Sequence, residues 1–244
     1  GPDTEMFYEF SEIAHDTKYG KFCHPNCDCG MYMEIGNNVF MTYKKVGESR
    51  FELLPKQNVD FGGGLERMTS AANNDPDVFN LDIFEPFLTR LEQASGKSYQ
   101  AVPPLRGGST ATTRSFRIVM DHVRAAHALI EDGVRPSNTE QGYVLRRLIR
   151  RAIVHADKLG IPAGELFEDE VSSEEEQKFR KTLERGLREF EKGSRDAFTL
   201  FTTFGFPYEL TEELAKEKGE VIDQGAFAKK MDEHSDLSRA GSEQ

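Results

Sequence analysis

Three consecutive glycines, Gly62-Gly63-Gly64, constrain the fold of this chain more than any other feature. The residues before them are rich in the aromatic and branched side chains of strands, whereas those after them have helical spacing. Because glycine lacks a Cβ atom, a flat ligand can approach this backbone closely. A helix that begins here points its amide groups toward a bound phosphate, and Arg67 in its first turns can add a bidentate contact. These residues alone leave an ordinary strand-to-helix turn with a surface arginine as an open alternative.

The pattern of side chains changes from strand to helix along the chain. Strands are predicted at residues 5–10, 31–35, 39–46 and 51–54, and helices at residues 62–72 and 82–94. Further helices are predicted at residues 114–132, 139–159, 173–194, 209–218 and 225–239. Ser173 followed by Glu176 has the spacing of a capping box at a helix start. The predicted fold class is therefore α+β, with an antiparallel sheet first and an all-helical part second.

Two domains joined by a linker are expected from the length of 244 residues. The linker is predicted at residues 101–113, where two prolines and the run GGST concentrate the residues that interrupt regular structure. The predicted domains are then residues 1–100 and residues 114–244.

Charge is distributed unevenly along the chain. The net charge of −11 argues against indiscriminate binding of nucleic acid, because attraction to phosphate is long-range and blind to sequence. Residues 114–158 nevertheless carry nine Lys and Arg against five Asp and Glu, so a confined anionic contact is expected there. Apolar runs are far short of the roughly 20 residues of a membrane span, and no secretory signal opens the chain. A cytoplasmic protein without a membrane contact is predicted.

Four arginines lie close together in the predicted helix at residues 139–159. On a helical wheel one half is apolar: Val144, Leu145, Leu148, Ile149, Ala152, Ile153 and Ala156. The other half contains Arg146, Arg147, Arg150 and Arg151, which predicts four exposed guanidinium groups on one surface. An anionic partner would relieve their mutual repulsion. The alternative is neutralisation by the acidic residues 165–176, a segment predicted to be a solvated loop and helix start.

The three cysteines, Cys23, Cys27 and Cys29, lie within seven residues that also include His24. Thiolates and imidazoles are the ligands that zinc prefers. The spacing is not that of a familiar zinc finger, and reduced thiols in a cytosolic loop are the simpler interpretation. No metal site is predicted from the sequence.

Several motifs follow one another in the order of a known family. Residues 60–67 (DFGGGLER) resemble motif 3 of class II aminoacyl-tRNA synthetases. Their neighbours resemble alanyl-tRNA synthetases at residues 33–41 (MEIGNNVFM), 53–60 (LLPKQNVD), 120–124 (MDHVR), 133–138 (GVRPSN), 142–152 (GYVLRRLIRRA) and 203–211 (TFGFPYELT). The resemblance implies the end of a class II aminoacylation domain, from just after motif 2, followed by a helical tRNA-recognition domain.

This resemblance implies ATP-dependent activation of alanine and its transfer to tRNA(Ala), with ATP and Mg²⁺ as cofactors. Arg67 would be the catalytic residue, binding the ATP phosphates beside Gly62, Gly63 and Gly64. The implied alanine-binding residues are Asn37, Val39 and Asp60. The implied tRNA-binding residues are Arg124, Asn138, Arg146, Arg147, Arg150, Arg151 and Thr202.

Three departures from the family pattern qualify these roles. The family usually has tryptophan where this chain has Gly36, which predicts an altered wall of the alanine pocket. An aspartate that partners Asn138 in the family is replaced here by Thr202. Motifs 1 and 2 are expected to belong to a preceding catalytic half, attached or separate, that acts as a partner. The alternative function is a non-catalytic tRNA-binding module that carries an inert synthetase remnant.

Overall fold

The computed structural model describes residues 1–100 and 110–242. The chain divides into two compact units, Gly1–Arg117 and Ile118–Gln244. A small antiparallel sheet lies in the first unit and helices make up the second, so the predicted α+β class is confirmed. Most of the predicted linker, residues 101–109, lies outside the described residues. At its end a helix begins at Ala111, three residues before the predicted start.

The sheet contains three strands in the order β1-β2-β3, all antiparallel to their neighbours. They are β1 at Asp3–Glu9, β2 at Tyr32–Lys45 and β3 at Phe51–Gly63. The prediction of two short strands in place of β2 is wrong, because Gly36 lies inside a continuous ladder and pairs with β1 and β3 on its two sides. Strand β3 likewise continues far beyond residue 54 and ends within the glycines.

Helix α1, at Leu65–Ala72, follows β3 directly, with Gly64 in the N-cap position. The glycines therefore form the end of a strand and the turn into a helix, rather than the first turn of the predicted helix. Helix α2 spans Glu85–Ser95, and helix α3 spans Ala111–Glu131. The buried apolar residues of this unit include Phe10, Ile13, Leu81, Phe84, Leu91 and Phe116.

The second unit continues with five helices in its described part. They are α4 at Glu140–Leu159, α5 at Glu170–Glu191, α6 at Ala197–Phe204, α7 at Tyr208–Glu217 and α8 at Gln224–Ser242. Helix α4 packs against α5, and α6 packs against α5, α7 and α8. The core of this unit includes Leu145, Ile149, Ile153, Phe179, Phe190 and Phe206.

The start of α5 and the presence of α6 both differ from the sequence prediction. Asp169, not Ser173, caps α5, and its carboxylate accepts a hydrogen bond from the Ser172 amide at 2.7 Å. Helix α6 was not predicted; Asp196 begins it by accepting from the Phe198 amide at 3.2 Å. Helix α6 has only eight residues, which are too few to show a helical period in the sequence. The capping residue Asp196 was the sequence feature that could have predicted its start.

No helix in the described part of the chain is both long and apolar enough to cross a membrane.

Candidate functional site

The pairing register of β2 and β3 brings the predicted alanine-binding residues together. Asn37 pairs with Gly62, and Val39 pairs with Asp60. Paired residues of antiparallel strands point to the same face, as do residues two apart along one strand. Asn37, Val39, Asp60 and Gly62 therefore share one face of the sheet, although they come from two segments about 20 residues apart.

Gly62 is required by the position of the Asn37 side chain. A Cβ atom at Gly62 would lie 2.8 Å from the Asn37 Oδ1 atom, closer than real Cβ contacts allow. Because Gly62 has no side chain, the amide group of Asn37 can lie against the backbone of β3 beside Asp60. At Gly62 the missing Cβ atom thus allows close approach of the Asn37 side chain, and close approach of a ligand stays a prediction.

Gly36 lies on the opposite face from Asn37 and Val39, because it alternates with them along β2. A Cβ atom there would approach the Gly62 carbonyl oxygen and the Phe61 ring at 3.0 Å each. Phe61 therefore takes the space beside Gly36. Position 36 therefore faces away from Asn37 and Val39, and the altered wall of the alanine pocket stays a prediction.

Arg67 lies in the first turn of α1, immediately after the glycine turn. Its Nη1 atom donates to the backbone oxygen of Glu34 at 3.2 Å and lies 3.5 Å from the Glu34 carboxylate. About half of the side chain is exposed, which leaves its remaining donors able to bind an anion. Arg67 also lines a cavity of about 230 Å³ together with Tyr32, Met33, Asp77, Phe79 and Arg117.

One wall of this cavity is a hydrogen-bonded group that the sequence analysis missed. Arg117 pairs with the Asp77 carboxylate at 2.7 Å, and its Nε atom donates to the Tyr99 hydroxyl at 2.7 Å. Burial raises the pKa of Tyr99, and its hydrogen bond to Asp77 adds to that shift. No local motif connects Asp77, Tyr99 and Arg117, which are far apart in sequence.

Arg150 is buried, which contradicts the prediction of four exposed guanidinium groups on α4. Only 9% of the residue is exposed. Its Nε and Nη2 atoms contact Glu175 Oε1 at 2.7 and 2.6 Å, and Nη1 donates to the Gly205 carbonyl oxygen at 2.6 Å. Burial lowers the pKa of Arg150, and the charge of Glu175 opposes that shift. Arg150 joins α4 to α5 and to the turn after α6.

The other three arginines of α4 also have partners within the chain. Arg147 pairs with Glu209 at 2.6 Å, and Arg151 pairs with Glu213 at 3.2 Å. Arg146 donates to the side-chain oxygen of Asn138 and lies 3.7 Å from Glu175. The carboxylates that neutralise the four arginines are Glu175 of α5 and Glu209 and Glu213 of α7. The acidic residues 165–176 therefore provide only part of this neutralisation.

The segment at residues 165–176 is not wholly solvated as predicted. Glu175 and Glu176 are 5% and 2% exposed. Glu175 pairs with Arg150, and Glu176 pairs with Arg180 at 2.7 Å along α5. Burial is possible here because each carboxylate has a charged, hydrogen-bonding partner.

The remaining residues of the predicted tRNA site lie at the surface. Arg124, Asn138 and Thr202 are all exposed. The Thr202 hydroxyl donates to the Phe198 carbonyl oxygen one turn earlier in α6, at 2.9 Å. Arg146, rather than Thr202, is the residue that donates to the Asn138 oxygen.

Comparison with known proteins identifies the class. The family model of class II tRNA synthetases (A) matches residues 1–173 and 167–244, which together cover the chain. The chain therefore belongs to the class II tRNA synthetases (A), as the motifs around Gly62 and Arg67 predict.

Several curated proteins are similar to this chain over nearly its whole length. An alanine–tRNA ligase of Borreliella afzelii (strain PKo) is 40% identical over 276 residues, which cover 99% of this chain and 45% of the relative. Those of Treponema denticola and Thermotoga sp. (strain RQ2) are 40% and 38% identical and cover 100% and 98% of this chain. They are matched over only 45% and 30% of their own lengths. The chain thus spans less than half of these relatives.

The alignments to the relatives are longer than this chain. The Borreliella afzelii alignment is 276 residues long, whereas this chain has 244 residues. The two matches to the family model overlap at residues 167–173. These residues form the end of the connection from α4 to α5 and the start of α5.

Replacing Arg150 with alanine should lower the free energy of unfolding by about 3–5 kcal/mol, because Glu175 would keep a buried charge without its partner. Arg147→Ala is the matched control on the same helix: its pair with Glu209 is partly exposed, and its loss should cost less than about 1 kcal/mol. Urea unfolding followed by circular dichroism measures both. Equal costs for the two variants would contradict the anchoring role of Arg150.

Proposed function

We propose that this chain forms the alanine-binding face and part of the ATP site of an alanine–tRNA ligase. The shared face of Asn37, Val39 and Asp60, beside the glycine turn and Arg67, is the observation that carries this proposal. A carboxylate suits the ammonium group of an amino acid, and a side-chain amide suits its polar atoms. Val39 offers a small apolar contact of a size that fits a methyl group.

The proposed reaction begins with attack of the alanine carboxylate on the α-phosphorus of ATP, which forms alanyl-adenylate and releases pyrophosphate. The terminal adenosine of tRNA(Ala) then takes the alanyl group, and AMP leaves. Asp60 would orient the amino group, while Arg67 would offset negative charge on the phosphate oxygens. Mg²⁺ would enter with ATP, since phosphate oxygens are its usual ligands. No protein nucleophile is needed.

The proposal includes a further catalytic half as a partner of the sheet. Within the described residues β1 and β3 are its edge strands, and unpaired strand edges favour pairing with another strand. Exposed apolar side chains continue along β3: Phe51, Leu53, Val59 and Phe61 are 54–68% exposed. A surface of this kind is typical of one that another part of a protein covers. The relatives are more than twice as long as the matched segment, which agrees with this arrangement.

The chain on its own should therefore give little exchange of labelled pyrophosphate into ATP when mixed with alanine. Asp60 and Arg67 are exposed to water, and loss of even one positioned charge donor costs roughly 10²–10³ in rate. A chimera with the residues that lie outside the matched segment of the Borreliella afzelii relative should recover alanine-dependent exchange.

Asp60→Asn in the chimera is the control, because it keeps the shape and removes the charge that holds the ammonium group. Strong exchange by the chain alone would contradict the need for a second half. A folded chimera that binds tRNA but never exchanges pyrophosphate would favour the inert tRNA-binding module.

The helical unit is proposed to bind the acceptor stem of tRNA(Ala). Because Arg150 is buried, the proposed contacts from α4 are Arg146, Arg147 and Arg151, and Arg124 on α3 joins them. The pair of Arg147 with Glu209 is partly exposed, and ion pairs of this kind are weak and can exchange for phosphate contacts. The chain as a whole has a net charge of −11, so contacts with tRNA phosphates are expected in one basic region only.

Arg147→Ala should weaken tRNA binding evenly across sequences and lower the magnitude of the salt slope by about one unit. The matched control is Arg188→Ala on α5, which removes the same charge from another exposed ion pair, with Glu184. Binding titrations at several salt concentrations measure both slopes. An equal change in the two variants would mean that only overall charge matters.

Asn138 is proposed to recognise a G·U pair in the acceptor stem. A wobble pair presents a guanine amino group in the shallow groove of an RNA helix, where a short exposed amide can accept from it. Arg146 already donates to the Asn138 oxygen and would hold the amide in place. The alternative is that Asn138 has only a structural role at the N-terminus of α4.

Asn138→Ala should abolish most of the preference for G·U over G·C and A·U while leaving overall affinity nearly unchanged. The preference of the unmutated chain should itself be modest, since Thr202 lacks the charge of an aspartate partner. Binding of three tRNAs that differ only at that pair, at fixed salt, measures the effect. If the unmutated chain binds all three equally, Asn138 has only a structural role.

A further inference from the structure

A cluster of potential metal ligands lies in the long connection between β1 and β2. Its members are His15, Cys23, Cys27 and Cys29, and their ligand atoms all lie within 4.8 Å of one another. In the sequence, His24 is the histidine adjacent to Cys23. The fold instead brings in His15, from eight residues before the first cysteine.

The distances within the cluster fit a tetrahedral zinc site. The sulfur atoms of Cys23 and Cys29 are 3.4 Å apart, and Cys27 Sγ lies 3.6 Å from His15 Nδ1. With Zn–S bonds of about 2.3 Å and Zn–N bonds of about 2.0 Å, ligand atoms of a regular tetrahedron lie about 3.5–3.8 Å apart. A disulfide would need sulfur atoms about 2.05 Å apart, and all three cysteines are free.

The surroundings of the ligands support metal binding as well. His15 Nε2 lies 2.9 Å from the Gly20 carbonyl oxygen. If Nε2 donates to that oxygen, Nδ1 carries the lone pair that a metal needs, and this is how metal-binding histidines are commonly held.

The connection contains little regular secondary structure. It runs from Phe10 to Met31, whose backbone groups bond at 2.8 Å and close its base. Within it the only regular structure is a short 3-10 turn at Thr17–Tyr19. Cys27 and Cys29 are nevertheless 4% and 0% exposed. Long loops of this kind need a stabilising element, and a structural metal ion can supply the free energy.

We propose that His15, Cys23, Cys27 and Cys29 bind one Zn²⁺ ion as a structural site. Four protein ligands complete the tetrahedron, which distinguishes a structural site from a catalytic one with an open position. Three thiolates and one imidazole favour zinc over the hard cations Mg²⁺ and Ca²⁺, which prefer oxygen ligands. The ion would tie the loop to the start of β2, the strand that carries Asn37 and Val39.

The test is the metal content of the whole chain, purified under reducing conditions, loaded with Zn²⁺ and freed of excess ion. We expect about one zinc ion per chain by mass spectrometry. His15→Ala should lose it, whereas His24→Ala, the matched control at the neighbouring histidine, should keep it. His15→Cys should also keep it, because four thiolates bind zinc equally well.

Cobalt(II) reports the geometry independently. The unmutated chain should show the intense visible bands of tetrahedral cobalt and the charge-transfer bands of thiolate ligands, and Cys29→Ser should weaken both. Far-ultraviolet circular dichroism shows whether each variant keeps its helices. The proposal is overturned if the loaded chain holds no zinc, or if folded His15→Ala keeps the ion while His24→Ala loses it.

Discussion

The register between β2 and β3 is the constraint on which the candidate site depends. A shift of β3 by one residue would turn Asp60 to the face opposite Asn37 and Val39 and bring Phe61 in its place. Gly62 supports this register, since the side chain of Asn37 lies where a Cβ atom at position 62 would be. The same pairing brings the strand end to the turn from which α1 and Arg67 begin.

In the helical unit the comparable constraint is a buried charge. Arg150 and Glu175 are almost fully enclosed, and the guanidinium group also reaches the Gly205 carbonyl oxygen. A buried pair of this kind contributes little net stability, but removal of one partner is costly. Its geometric effect is to fix α4, α5 and the turn after α6 relative to one another. The partly exposed Arg147 is left on the outer side of the same helix.

The connection between α4 and α5 lies next to that buried pair. It occupies residues 160–169, and Leu166 and Phe167 within it are buried. The connection therefore packs into the core of the helical unit. Glu175, six residues after Asp169, reaches Arg150.

The sequence by itself determined the α+β order, the long helices and the family, because helical periodicity and the motifs around Gly62 and Arg67 are local patterns. It also named Asn37, Val39 and Asp60, though only through the resemblance. Tertiary structure alone decided which residues meet: that Gly36 faces away, that Arg150 is buried, and that His15 rather than His24 joins the cysteines. Each of these depends on contacts between segments distant in sequence, and such contacts leave no periodic signal in either segment.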